Sequence, residues 1–358
     1  MDEVQREQEG KNCKPRKLKN FMSIKTLLIV INCIFLAVGQ IAGVMLVRIY
    51  FLHGGKRKWL QAFWLTAGFP ILLLPIAISF AKRRKANKTE TNRVLLTPKL
   101  ILASAILGLL LGVCSYLYTF GMSYLPVSIS SLLASTSLAF TAIFAYFIVK
   151  HKFTHYSVNA VVLMTFGSII LGLHMNGDRP KGESNRQYVL GFVMTIVGAA
   201  LHGFLNAGVE YSHIKAGVAV TFDLVMQMQF LISMFSTLFC VVAMIINKDF
   251  QTIHREAEAF GLGQNKYYMI LALSAIALQI MIIGNLGLIF SSSALLSGIF
   301  NSLLVPVQQI FAVMFLPESF NAEKWMALAM CLWGFASYFY GEYKASLKKV
   351  TKTKPDQV

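Results

Sequence analysis

"SALLSGIFNSLLVPVQQIFAVMF", residues 293–315, decides how this chain is read. The run is long and apolar enough to cross a hydrocarbon core, which takes about 20 residues of helix. Yet it carries Asn301, Pro306, Gln308 and Gln309 in its interior. A plain anchor has no use for them. Unsatisfied amides in hydrocarbon are costly, and a proline leaves a backbone carbonyl without its helical partner. The stretch reads as a wall that faces something inside the protein.

The rest of the chain agrees with a membrane setting. Of 358 residues, 56% are hydrophobic and 14% charged, against about 25% charged in an ordinary soluble domain. Ten apolar runs are long enough to span, near 26–47, 59–80, 100–121, 127–149, 157–173, 189–209, 222–246, 267–290, 294–315 and 325–341. The expected class is an all-α integral membrane protein. The five cysteines form no C-x-x-C pair and lie mostly in apolar runs, so neither a disulfide framework nor a zinc site is indicated. The net charge of +17 comes from Lys and Arg lying between the apolar runs, which excludes a nucleic-acid role.

Those charges set an orientation. With the N-terminus in the cytoplasm, 22 of the 33 Lys and Arg fall on the cytoplasmic side, many in the loop "AKRRKANKTETNRVLLTPK". Both termini are therefore expected inside, and Arg48, Lys56, Arg57 and Lys58 dissent. The sequon at Asn87 falls in that cytoplasmic loop and is expected to be unused. On the other side, "NKDFQTIHREAEAFGLGQNK" places Phe250, Ile253, Ala257 and Phe260 at helical spacing. It predicts a short interfacial helix with His254 and Glu256 on its wet face.

Polar residues within the spans point to a cavity. The spans hold no Lys or Arg, which excludes anion carriers and voltage sensors and leaves a neutral or cationic solute. His202, Asn206 and Glu210 recur at i, i+4 and i+8, one stripe of the sixth span. Ser297, Asn301 and Gln308 share a face of the ninth, with Gln309 beside it, and Ser128, Ser131 and Ser135 share a face of the fourth. Asn32 and Gln40 lie in the first span, Gln279 and Asn285 in the eighth. Gly39 and Gly43 form a G-x-x-x-G that predicts close helix packing. The candidate solute contacts are Asn32, Tyr116 as a stacking platform, Ser135, His202, Asn206, Gln279, Asn301, Gln308 and Gln309. Glu210, the acid on a polar stripe, is the candidate proton carrier.

An offset of 166 residues lays 116–149 on 282–315, pairing Gly121 with Gly287, Ser131 with Ser297 and Ser135 with Asn301. Ten spans then divide into a first repeat over 26–173 and a second over 189–341. An outer loop, 174–188, joins them, and basic cytoplasmic tails, 1–25 and 342–358, flank them. Five spans per half makes the repeats inverted, an arrangement of secondary transporters.

Several segments resemble the plant purine permease family of the drug/metabolite transporter superfamily. These include "INCIFLAVGQIAGVMLVRIYFLHGGKRKWLQAF", "YLPVSISSLLASTSLAF" and "VVLMTFGSIILGLHMNGD". "GFVMTIVGAALHGFLNAGVEY" and "NAEKWMALAMCLWGFASYFYGEY" carry the same likeness. The resemblance implies ten helices in two repeats and proton-coupled uptake of adenine, cytokinins and related nitrogen heterocycles. Glu210, Gln229 and Gln279 match the family pattern. Ser115, Ser137, Thr141 and the Gln308-Gln309 pair depart from it, which implies a relative with an altered solute preference.

The expected function is secondary active import, by alternating access, of a purine-like nitrogen heterocycle (adenine or a cytokinin) together with a proton across a lipid bilayer, with the plasma membrane implied by the resemblance. Uptake of a plant alkaloid, nicotine- or benzylisoquinoline-like, on the same scaffold is the alternative. A receptor or channel without transport is the more distant one. No cofactor or metal is called for. An enzyme is not expected, since no catalytic triad, metal-ligand cluster or paired carboxylates is evident.

Overall fold

The computed structural model describes residues 2–74, 76–77, 80–81, 96–125, 130, 133–134, 136–150, 154–173, 185–215, 221–292, 294–315 and 322–352. Asn87 lies outside them. All regular structure among these residues is helical. Helix α1 (Asp2–Leu52) has its apolar portion at Thr26–Leu52. Four further helices are also long and apolar enough to cross a membrane. They are α3 (Pro98–Tyr124), α6 (Asn185–Ile214), α7 (Phe222–Ile246) and α9 (Gln264–Ser291).

Local chemistry sets several starts. The Thr97 hydroxyl accepts from Leu100 N at 3.4 Å, with Pro98 at the first helical position of α3. Thr221 does the same for Leu224 N at 3.3 Å ahead of α7. Helix α5 (His155–Leu173) starts beyond Thr154, whose hydroxyl accepts from Ser157 N at 3.1 Å. Two helices, α10 (Ala294–Phe315) and α11 (Ala322–Lys352), follow α9 among the described residues.

Two of the expected runs are not regular α-helix throughout. In the second, α2 (Lys58–Ala67) stops at Gly68 and gives way to a 3-10 turn over Phe69–Leu72. Pro70 lacks the N–H that a continuing α-helix would use. In the fourth, α4 (Ser137–Phe144) widens into a π-turn over Ala145–Val149 and ends at Lys150 in the left-handed region, φ 56°. Such wide turns recur near functional sites.

Helix α1 packs along α9, α3 against both α6 and α7, α2 against α7 and α9, α4 against α6 and α10, and α5 against α11. The α1–α9 contact is a seam of close backbone approach. A Cβ on Gly39 would collide with Met281 N, and one on Gly284 would sit 2.5 Å from Leu36 N. Glycine on both helices lets the backbones touch, as the G-x-x-x-G predicts. Asn32 is part of this seam: a Cβ on Gly287 would collide with its side-chain amide.

The connection before α9 departs from expectation. A 3-10 turn (Asp249–Thr252) leads into α8 (Ile253–Glu258), but this element is folded into the protein. Ala257 and Phe260 are buried with Tyr50, Leu60, Met244 and Tyr267. Glu256 is not on a wet face. Its carboxylate accepts from Tyr50 Oη at 2.5 Å and Tyr267 Oη at 3.3 Å, and lies 3.5 Å from Arg57 Nε. Arg57 Nη1 also donates to fully buried Asp249 at 3.2 Å. His254, in contrast, is exposed and pairs with Glu258 at 3.1 Å. Beside this corner, Lys58 Nζ donates to Tyr124 Oη at 2.7 Å and lies 4.0 Å from the centre of the Phe120 ring. Arg57 and Lys58, two dissenters from the charge rule, thus have specific partners.

Candidate functional site

A cavity of about 250 Å³ lies among α1, α2, α3, α6, α7, α9 and α10, with Ser137 at the start of α4 also in its lining. It is smaller than the roughly 300–1,000 Å³ of drug-sized pockets and suits a small, compact solute. Its lining is mostly Leu, Ile, Val and Met, and contains no Asp, Glu, Lys or Arg among the described residues.

One side is an asparagine relay. Asn285 of α9 donates from Nδ2 to Asn206 Oδ1 of α6 at 3.4 Å. Its own Oδ1 accepts from Asn301 Nδ2 of α10 at 2.9 Å and from the Ser297 hydroxyl. Asn301 Nδ2 also reaches the Ser297 carbonyl at 3.0 Å, and Asn206 Nδ2 lies 3.4 Å from His202 Nδ1. These bonds tie three helices together through side chains that the i, i+4 stripes bring to one place. The Tyr118 ring meets His202 edge to face, centroids 6.1 Å apart.

Of the expected solute contacts, His202, Asn206, Asn301 and Gln308 line the cavity. Asn32, Tyr116 and Gln279 are not part of the described lining. Asn32 is held in the α1–α9 seam. Tyr116 is stacked on Trp59, centroids 3.8 Å and planes 17° apart, so that ring face is already covered. Gln279 is fully buried where α9 meets α2, with its Cβ 2.8 Å from the position of a Cβ on Gly68. Ser135 and the Gln309 side chain lie outside the described residues. Glu210 is half-buried one turn beyond Asn206 on α6 and outside the lining.

Sequence reasoning missed Gln61, Tyr118 and, as a hub, Asn285. Ser115 and Thr119 both line the cavity. Their i, i+4 spacing marks the face of α3 that carries Tyr118 at i+3 from Ser115, and turns Tyr116 away. One turn further along α2 stand Trp64 and Leu65, so no stripe of amides or hydroxyls singled out Gln61.

Long apolar helices packed around a central, uncharged, partly polar cavity define a multi-pass membrane protein of the solute-carrier kind. Residues 27–348 match the family profile described as purine nucleobase transmembrane transport (PUNUT). Purine permease 3 of Arabidopsis thaliana is 43% identical, covering 90% of this chain and 92% of that protein. Purine permease 2 of the same plant is 41% identical over 94% and 97%. The chain belongs to the purine nucleobase transmembrane transport family. A solved crystal structure aligns with 88% of the chain at a TM-score of 0.57 and 15% identity, a likeness of fold.

Proposed function

We propose that this protein is a secondary active transporter that imports purine-like nitrogen heterocycles, adenine and cytokinins among them, with a proton and by alternating access. The observation that carries this reading is the uncharged cavity with amide side chains, enclosed by helices from both ends of the chain. Membership of a purine transport family, and two Arabidopsis relatives named as purine permeases, support the solute class.

In this reading ten spans form two inverted halves, 26–173 and 189–341, with both termini cytoplasmic and the protein in the plasma membrane. The packing pattern supports the two halves. Exchanging first span for sixth, second for seventh and so on carries the α1–α9 contact onto α6–α3, and α3–α7 onto α9–α2. The α2–α7, α4–α10 and α5–α11 contacts map onto themselves. The larger contacts thus exchange in pairs, as two related halves facing each other would produce, while α9–α10 has no such counterpart among the described contacts. Glu210 is the proposed proton carrier. It continues the stripe of His202 and Asn206, both in the lining, by one more turn.

The test is radiolabelled uptake in yeast against purines, cytokinins and alkaloids, with and without a protonophore. Adenine accumulation that trans-zeatin displaces and the protonophore abolishes is expected. Displacement of a labelled tertiary-amine alkaloid by alkaloids alone would favour the alkaloid alternative. Binding or current without accumulation would make the protein a receptor or channel.

A further inference from the structure

The amides of the cavity fall into two groups. In the asparagine relay, the Nδ2 groups of Asn206, Asn285 and Asn301 and the Oδ1 atoms of Asn206 and Asn285 all have partners within the protein. Gln229 also has a partner, its Nε2 donating to Ser233 Oγ at 2.9 Å, but the other three lining glutamines differ. Gln61 is 2% exposed, and neither its Nε2 nor its Oε1 has a hydrogen-bond partner among the described residues. The same holds for Gln40 Oε1 and for Nε2 of Gln308, itself 2% exposed. Buried donors and acceptors are nearly always satisfied, so unengaged ones in a cavity wall call for a ligand or water to complete them.

The two groups divide the work. The relay fixes α6, α9 and α10 around the cavity, and its polar atoms are largely occupied in doing so. Two acceptors, on Gln40 and Gln61, and two donors, on Gln61 and Gln308, remain. An amide offers a donor and an acceptor side by side, and it complements an edge that does the same. That edge occurs in lactams, amidines and ring N–H beside ring N. A protonated amine offers donors only, and it brings a full charge into a lining without a carboxylate. Burying an unpaired charge is far costlier than burying a neutral polar group.

Resting on the reading of this cavity as the solute site, we propose that Gln61, with Gln40 and Gln308, determines solute specificity. The species bound is the neutral form of a heterocycle with adjacent donor and acceptor atoms. Cationic amines are excluded because no carboxylate among the described lining residues neutralises them. The asparagine relay is the positioning element behind this set.

The experiment is adenine uptake by yeast expressing wild type, Gln61→Met, Gln61→Glu and Gln308→Met, each normalised to protein in the membrane. Methionine keeps the length of glutamine and removes the amide. Loss of one hydrogen bond to solute predicts a KM about tenfold higher for Gln61→Met at an unchanged maximal rate. In Gln61→Glu the carboxylate supplies the missing countercharge, so nicotinium should compete better against labelled adenine than it does with wild type. A merely structural glutamine would change the amount of protein or the maximal rate and leave KM and the order of competitors alone. Wild-type uptake with an unaltered KM in Gln61→Met and Gln308→Met overturns this inference and leaves the transport reading intact. A wild-type protein that takes up no neutral heterocycle sinks both. If Gln61→Met fails to reach the membrane, the KM of Gln308→Met decides.

Discussion

Replacing Arg57 by Ala removes the single guanidinium that serves two carboxylates. Asp249 is fully buried and Glu256 nearly so, with 10% of its side chain exposed. Breaking a buried pair by deleting one partner costs about 3–5 kcal/mol, because the other charge stays behind. Three features lower that figure here. Arg57 is one-third exposed, so water replaces part of it. Asp249 keeps Asn247 Nδ2 at 3.0 Å, and Glu256 keeps the hydroxyls of Tyr50 and Tyr267. We therefore expect a loss of about 2–3 kcal/mol, a melting temperature lower by roughly 3–4 °C for a chain of this length. Purified protein in mild detergent, followed by the fraction that remains monodisperse after heating, measures it. Pairing the change with Asp249→Asn, which removes the stranded charge at constant shape, should recover part of the loss. Arg57→Ala melting within a degree of wild type would refute the argument. So would a double variant in which the two losses simply add.

Three further outcomes follow from the geometry. Asn301→Ala removes a donor to Asn285 and to the Ser297 carbonyl, so the maximal rate of uptake should fall several-fold while KM moves less than in Gln61→Met; saturation curves separate the two. Gly284→Leu puts a side chain where Leu36 N and the Asn32 carbonyl already lie, and should sharply reduce the amount of folded protein by size-exclusion profile, whereas Gly54→Ala, with open space around it but φ 101°, should cost far less. Glu210→Gln removes the proposed proton carrier, so accumulation should weaken and the pH profile of uptake flatten while exchange of solute across the membrane survives; full uptake with the wild-type pH profile would point to facilitated diffusion.

The long spans were legible because hydropathy over twenty residues reports burial in lipid directly. The i, i+4 stripes were legible for a similar reason: His202, Asn206, Asn301 and Gln308 were placed on faces by helical period alone, and all four line the cavity. Long-range partners were not legible. Nothing local marks Glu256 as the partner of Tyr50, 206 residues away. Its position on a short amphipathic helix reads as wet until the helix is folded against α1 and α9. The same limit misplaced Tyr116 and Asn32. An aromatic or an amide in a span has several faces to choose from, and the neighbour that takes it, Trp59 in one case and Gly287 in the other, lies elsewhere in the sequence. Gln61 was hidden because a lone amide has no period.

Helix α2 joins the two polar features of this protein. Arg57 is its N-cap and Gln61 follows four residues later, one turn along the same face. The helix has 10 residues, about 15 Å of rise, and gives way at Gly68 to the 3-10 turn. It is thus a short rod, tied at one end to Asp249 and Glu256 and interrupted at the other by a change of helix type. Gln61 lines the cavity between those two ends. A solute that hydrogen-bonds Gln61 acts on a rod whose position is set by an ion pair to the α7–α9 connection. By linkage, solute can shift that position only by the difference in its affinity for the two placements of the rod. Arg57 then bears on transport as well as on stability. In protein that still reaches the membrane, Arg57→Ala should loosen the tie while the lining chemistry stays the same. Its uptake defect should therefore appear in rate more than in the ranking of solutes, the reverse of the defect expected at Gln61.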